Sequence, residues 1–393
     1  MKNIFSKEWK YEIILLYLVF TACFSLIAYY HLRSGFSMST DSARFSRWAD
    51  ELIRLNFNFY EFFSIDKAHH RPSLFFFSVP VLLIALCKII FVYEWQFAFL
   101  IFNLTLVFLS LVIFTKSLLL IGIRPILISL TLPIILISVD ILTWPKFILS
   151  DMIYAFLVLL GTYSIIKGVI NDKINYFELS LIILILLTSR PSSIPVIFAI
   201  ILFIVISKLK IFSIQKNILL FILIIFFSTP FILGLVYSFI ELNYNGIAKI
   251  EFLTKMVKEG MIIHDRPDTW VNKPDSFIDV IFIYFLRLIN FFNPYASTFS
   301  ITHIFLNVFQ IVLILLSIFI WSFYGNYIKI FNKIFLFIIL LSFSVAAFHS
   351  FILIDYDWRY RFPIILPLIM LIPISLEIIL KKIDLNISNF TKA

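Results

Sequence analysis

EIILLYLVFTACFSLIAYY, residues Glu12 to Tyr30, has Glu12 as its only charged side chain and decides the fold class. A helix of about 20 such residues crosses a hydrocarbon core of about 30 Å, and backbone amides in lipid must find their partners within the segment itself. Lys2, Lys7 and Lys10 precede the run, as they would in a signal peptide. Its length, and the lack of a small-residue cleavage site before His31, predict a retained helix instead.

Working outward, similar apolar runs recur at Gln96 to Phe114, Leu118 to Ser138, Phe147 to Ile166, Phe177 to Leu187 and Ile194 to Ile206. They continue at Asn217 to Ile240, Phe299 to Phe323, Ile334 to Leu353 and Arg361 to Leu380. The 393 residues are 62% hydrophobic and 14% charged, with 48 phenylalanines. Lipid is therefore the solvent of this chain. Cys23 and Cys87 sit far apart inside apolar runs, which argues against a disulfide framework or a zinc site. The eight glycines never take the spacing of a phosphate-cradling loop, which disfavours a soluble nucleotide-sugar or ATP site.

The net charge of +9 is dispersed into short loops and reads as a topology signal, so nucleic acid is not expected as a partner. Basic loops at Lys167 to Lys173, Lys208 to Lys216 and Lys329 to Lys333, with the Lys381-Lys382 tail, mark the cytoplasmic side together with both termini. Three apolar runs then lie between two points that both need to be outside, an impossible parity. Leu74 to Phe91, with Lys88, Tyr93, Glu94 and Trp95 at its end, is expected to be re-entrant or peripheral. The expected fold is an all-α polytopic transmembrane bundle of roughly 10 spans, about 9 to 12 being compatible.

Residues 1–393 form one integral membrane domain in this reading. A first extracytoplasmic loop, 33–71, carries a juxtamembrane helix with Phe45, Trp48, Ala49, Leu52 and Leu55 as its apolar stripe. A second segment, 241–298, carries an interfacial helix with Ile278, Ile281, Phe282, Phe285, Leu288, Ile289 and Phe292 on one face and Asp279, Arg287 and Asn290 on the other. This topology gathers Asp41, Arg71, Asp151, Arg190, Asp357, Arg359 and Arg361 at the outer face, where converging acids and arginines suit chemistry. Each has a plainer role too. Asp41 can cap its helix, Asp151 can favour a helix dipole, Arg190 can satisfy carbonyls at a turn, and Arg359 and Arg361 can anchor at the interface beside Tyr360. Adjacent His69 and His70 point about 100° apart on a helix and do not chelate a metal together.

The order of motifs resembles GT-C glycosyltransferases, including protein mannosyltransferases and lipid A aminoarabinose transferase. Asp41 heads an amphipathic helix of the form D-S-x-x-F-x-x-x-A-x-x-L beyond the first span. His70-Arg71-Pro72-Ser73-Leu74 resembles the basic-Pro-Pro-Leu start of the following helix, Ser73 departing from the second proline. Ser150-Asp151 resembles the second acidic site, Thr188-Ser189-Arg190-Pro191 the (K/R)-Pro turn of a mid-chain hairpin, and Asp357-Trp358-Arg359-Tyr360-Arg361-Phe362-Pro363 the D-x-R-Y-R-x-P opening of a late span.

The resemblance implies a GT-C-like fold, a polyprenyl-phosphate sugar donor, and inverting transfer on the extracytoplasmic side, here of a bacterial inner (plasma) membrane. The acceptor would be a glycan, lipid or protein. Asp41 is then the general base, and Asp151 orients the acceptor or helps hold a divalent cation, magnesium or manganese. Arg71, Arg359 and Arg361 stabilise the leaving phosphate, with His70, Arg190, Asp357 and Tyr360 completing the substrate site. The rival readings are a surface-polysaccharide polymerase, which is chemically close, and a polysaccharide flippase, which should show matched repeats and charged or Pro/Gly-broken central helices.

Overall fold

The computed structural model describes residues 9–68, 73–208, 256–263, 266–296, 299–325, 328–351 and 358–390. Among them every regular element is a helix, and the β geometry is one isolated parallel bridge, Ser37 to Phe147. In chain order the helices are α1 (Lys10–Ser34), α2 (Thr40–Arg54), α3 (Phe59–Ala68), the one-turn α4 (Ser73–Phe76), α5 (Ser78–Phe91), α6 (Trp95–Ile121), α7 (Pro125–Leu136) and α8 (Val139–Thr143). There follow α9 (Asp151–Ile170), α10 (Tyr176–Leu187), α11 (Ile194–Lys208), α12 (Phe277–Phe291), α13 (Ile301–Tyr324), α14 (Lys329–Phe351) and α15 (Phe362–Phe390).

Seven helical runs among the described residues are long and apolar enough to cross a membrane, or eight if the pair Pro125–Leu136 and Val139–Lys146, bent by 53°, is one span. The count differs from ten for two reasons. Asn217 to Ile240 lies outside the described residues, and α10 has 12 residues, too few to cross about 30 Å as a straight helix. The expected break at residues 115–117 is absent. α6 runs through Lys116 to Ile121, where Gly122 at φ 85° caps it and Pro125 opens α7, a left-handed cap and N-terminal proline that stop one helix and start the next.

Leu74 to Phe91 splits into α4 and α5, and the chain turns at Val92, φ 40°. α5 is tied to α2 along its length. Phe77 packs on Phe45 and Trp48, while Lys88 donates to Ser46 and Asp50. α5 has 14 residues and forms with α6 one apolar helical run, Ser78–Ile121, of 44 residues.

Burial sorts the helices. α9 and α15 are mostly buried and form the centre, whereas α1 and α13 show most of their apolar surface to the outside, as expected where lipid is the neighbour. α1 buries the narrow stripe Leu16, Cys23, Ile27 and His31. Basic side chains gather at the end opposite Asp41. Glu377 there accepts from the Arg124 backbone and pairs with Lys381, Lys167 pairs with Glu178, and Lys382 lies over the Tyr324 ring. Glu12, at the start of α1, accepts from the Ile126 amide at the same end.

Candidate functional site

Asp41 and Asp151 are brought together by backbone, not by any helix contact of their own. Ser37 N–H donates to the Lys146 carbonyl at 2.8 Å and the Ile148 N–H to Ser37 at 3.3 Å. This pairs the loop before α2 with the loop before α9, and each acid stands four residues beyond the bridge. Two side chains hold the second loop. Asn103 Nδ2 donates to the carbonyls of Pro145 (2.9 Å) and Phe147 (3.1 Å), and His31 Nε2 lies 3.0 Å from the Ile141 carbonyl. Both are completely buried.

Asp41 is not the helix cap. Ser39 caps α2 in a reciprocal box with Ser42, which frees the Asp41 carboxylate for tertiary contacts. Its Oδ2 accepts from both Nη atoms of Arg359 at 3.3 Å, and its Oδ1 lies 3.5 Å from Arg44. The same Arg359 turns its Nε toward Asp151 Oδ1 at 3.2 Å, and Arg190 donates to that same oxygen. Asp41, Arg359, Asp151 and Arg190, from distant segments, thus form one continuous network, with Arg44 as a third arginine beside Asp41.

Burial grades the two acids. The Asp41 side chain is 30% exposed and Asp151 completely buried. Asp151 Oδ2 has no hydrogen-bond partner among the described residues. Arg190 is fixed by its own turn: Pro191 holds it extended, and Tyr154, one turn below Asp151 on α9, donates to the Ser192 carbonyl at 2.5 Å. The Tyr360 ring lies 5.2 Å from the Arg190 guanidinium and stacks on His349 at 4.5 Å, which stacks in turn on Phe291.

Arg361 goes elsewhere. Although two residues from Arg359, it pairs with buried Asp140 at 3.9 Å and donates to the Asn293 carbonyl at 3.1 Å. The sequence reading of Arg359 and Arg361 as one clamp therefore meets two separate acid–arginine nodes. His70, Arg71 and Asp357 lie outside the described residues. Asp140, Tyr154 and His349 were not anticipated. Asp140 follows an apolar run directly, and an acid in that position is the signal that could have found it.

The two acids do not make an open cation site, because the Arg359 guanidinium lies between them. No group of three or more His, Cys, Asp or Glu among the described residues is disposed to hold a metal ion.

α12 spans the segment read as an interfacial helix. Ile278, Phe282, Phe285 and Ile289 of α12 are exposed, but Arg287, read as part of the polar face, is buried against the Met261 carbonyl at 2.5 Å. Burial pulls its pKa down to about 10. Compared with known proteins, the chain matches no family model, no curated protein and no solved structure.

Proposed function

We propose that this chain is a GT-C-type membrane glycosyltransferase that moves a sugar from a polyprenyl-phosphate donor to an extracytoplasmic glycan, lipid or protein acceptor. The observation that carries this reading is the network Asp41–Arg359–Asp151–Arg190 at one end of the bundle. A weakly nucleophilic acceptor hydroxyl needs a carboxylate, and a departing phosphate needs cations in a place of low dielectric. The basic residues collected at the opposite end support an orientation with the network outside.

In this mechanism the acceptor oxygen bonds to the anomeric carbon as the bond from that carbon to the donor phosphate oxygen breaks, with inversion. The acceptor proton passes to Asp41, the more exposed of the two acids. The phosphate leaves with the electron pair and is stabilised by Arg359, with Arg361 two residues away. Asp151, completely buried, keeps Arg190 and Arg359 in place. The network's charges lie at helix starts, which supports transfer over flipping, while Pro367 and Pro373 inside α15 and the 53° bend between α7 and α8 are features a flippase shares.

Asp41→Asn tests it. The cap belongs to Ser39, so the variant should insert and purify as the wild type while transfer from a polyprenyl-phosphate sugar falls roughly 10² to 10⁴-fold. Near-wild-type transfer would remove Asp41 as the base.

A further inference from the structure

His349 is a buried polar side chain that the proposed reaction does not use. It stands near the end of α14, is 4% exposed, and neither of its ring nitrogens has a hydrogen-bond partner among the described residues. Its ring stacks on Phe291, the last residue of α12, and on Tyr360 in the turn before α15, at centroid distances of 5.8 Å and 4.5 Å. An imidazole buried with both nitrogens idle contributes its flat face and not its polarity.

Tyr360 carries this column of rings on to the charges. Its ring centroid lies 5.2 Å from the Arg190 guanidinium and 5.8 Å from that of Arg359, inside the range of about 6 Å over which a cation is drawn to an aromatic face. Arg190 and Arg359 are the two arginines that meet on Asp151. Their ion pairs fix nitrogen atoms at the acids, whereas the ring beside them limits how each guanidinium plane can turn. One aromatic ring thus serves both cations, and His349 supports that ring.

We propose that Tyr360 and His349 are positioning residues of the network: the imidazole holds the Tyr360 ring in place, and the ring sets the directions in which Arg190 and Arg359 meet Asp151 and Asp41. Neither residue touches a reacting group in this scheme. A guanidinium already aimed when the phosphate departs stabilises the developing charge without first reorganising. Loosening the ring therefore slows the chemical step more than it weakens donor binding.

Two measurements on the purified full-length protein test this, and only the second rests on the transferase reading. The first is SDS unfolding in mixed micelles for His349→Leu, Arg190→Met and the two together, leucine being close to histidine in volume without a ring face. Positions 349 and 190 communicate through Tyr360, so their effects on the unfolding constant should depart from additivity by at least about threefold and become additive once Tyr360 is replaced by leucine. The second is transfer from whichever polyprenyl-phosphate sugar the wild type accepts. His349→Phe and Tyr360→Phe keep the rings and should hold kcat within about twofold, while His349→Leu and Tyr360→Leu should lower it about tenfold or more, with the donor KM changed less than about threefold. A purely structural role would lower kcat only in step with the folded fraction, which the SDS titration measures.

Additive effects at 349 and 190, or a departure from additivity that survives Tyr360→Leu, would overturn the proposal. So would kcat retained by both leucine variants, or a tenfold loss in His349→Phe, which would put a ring nitrogen to work. Coupling through Tyr360 in a wild type that transfers no sugar from such donors would support the positioning and end the transferase reading alone.

Discussion

Asp151→Asn separates an acid that holds the site from an acid that works in it. The substitution keeps volume and removes one charge from a place of zero exposure where Arg190 and Arg359 both make ion pairs. Arg359 retains Asp41 at 3.3 Å. Arg190, 5% exposed, keeps the Tyr360 ring beside it but loses its carboxylate. Removing one member of a buried pair costs about 3–5 kcal/mol, chiefly through the charge left behind. Because one of the two arginines is still paired, the loss should sit near the lower end, about 3 kcal/mol. An SDS-unfolding titration of the purified protein in mixed micelles measures it. Arg190→Met added to Asp151→Asn should recover about 1 kcal/mol or more, since no charge then remains unpaired. Asp41→Asn in the same assay should lose less than about 1 kcal/mol, its pair being partly exposed. An Asp151→Asn protein within about 1 kcal/mol of wild type would refute the buried network and return Asp151 to the solvent-accessible surface.

Two further outcomes follow from the backbone frame and the sidedness. Asn103→Leu leaves the Pro145 and Phe147 carbonyls without their donor and should cost about 1–3 kcal/mol in the same titration while lowering transfer, although no acid or arginine is changed; wild-type stability would show that the loop before α9 stands without it. Cysteines introduced at exposed Arg47 and exposed Lys173 should differ in labelling by an impermeant maleimide on intact cells, position 47 reacting at once and position 173 only after permeabilisation; the reverse pattern would end the extracytoplasmic reading.

The membrane class was legible because it depends on a sum: each apolar run is long, and no local detail reverses it. The amphipathic stripe of α2 was legible for the same reason, with Phe45, Ala49 and Leu52 buried as their spacing predicts. Boundaries set by single residues were less so. The α6 break moved to Gly122, and the α2 cap belongs to Ser39 two residues before Asp41, because Ser, Thr and Asp in a row all cap and only geometry selects among them.

Asp41, Asp151, Arg190 and Arg359 meet in the described residues, but how they pair was not legible. Topology alone gathers acids and arginines at one end, but it cannot say that Arg359 bridges two carboxylates while Arg361 turns to a third, Asp140. That choice comes from the 3₁₀ turn Trp358–Arg361. Residues two apart on a turn of three residues leave it in different directions, so the alternation in Arg359-Tyr360-Arg361 distributes its cations between neighbours instead of stacking them on one. The consequence is electrostatic. Asp151 stands against Arg190 and Arg359 and Asp140 against Arg361, so each of these side chains at 0–5% exposure has an opposite charge beside it. In the first node the carboxylate with solvent access is Asp41, 30% exposed against 0% for Asp151, so in the proposed reaction Asp41 is the acid that an acceptor can reach.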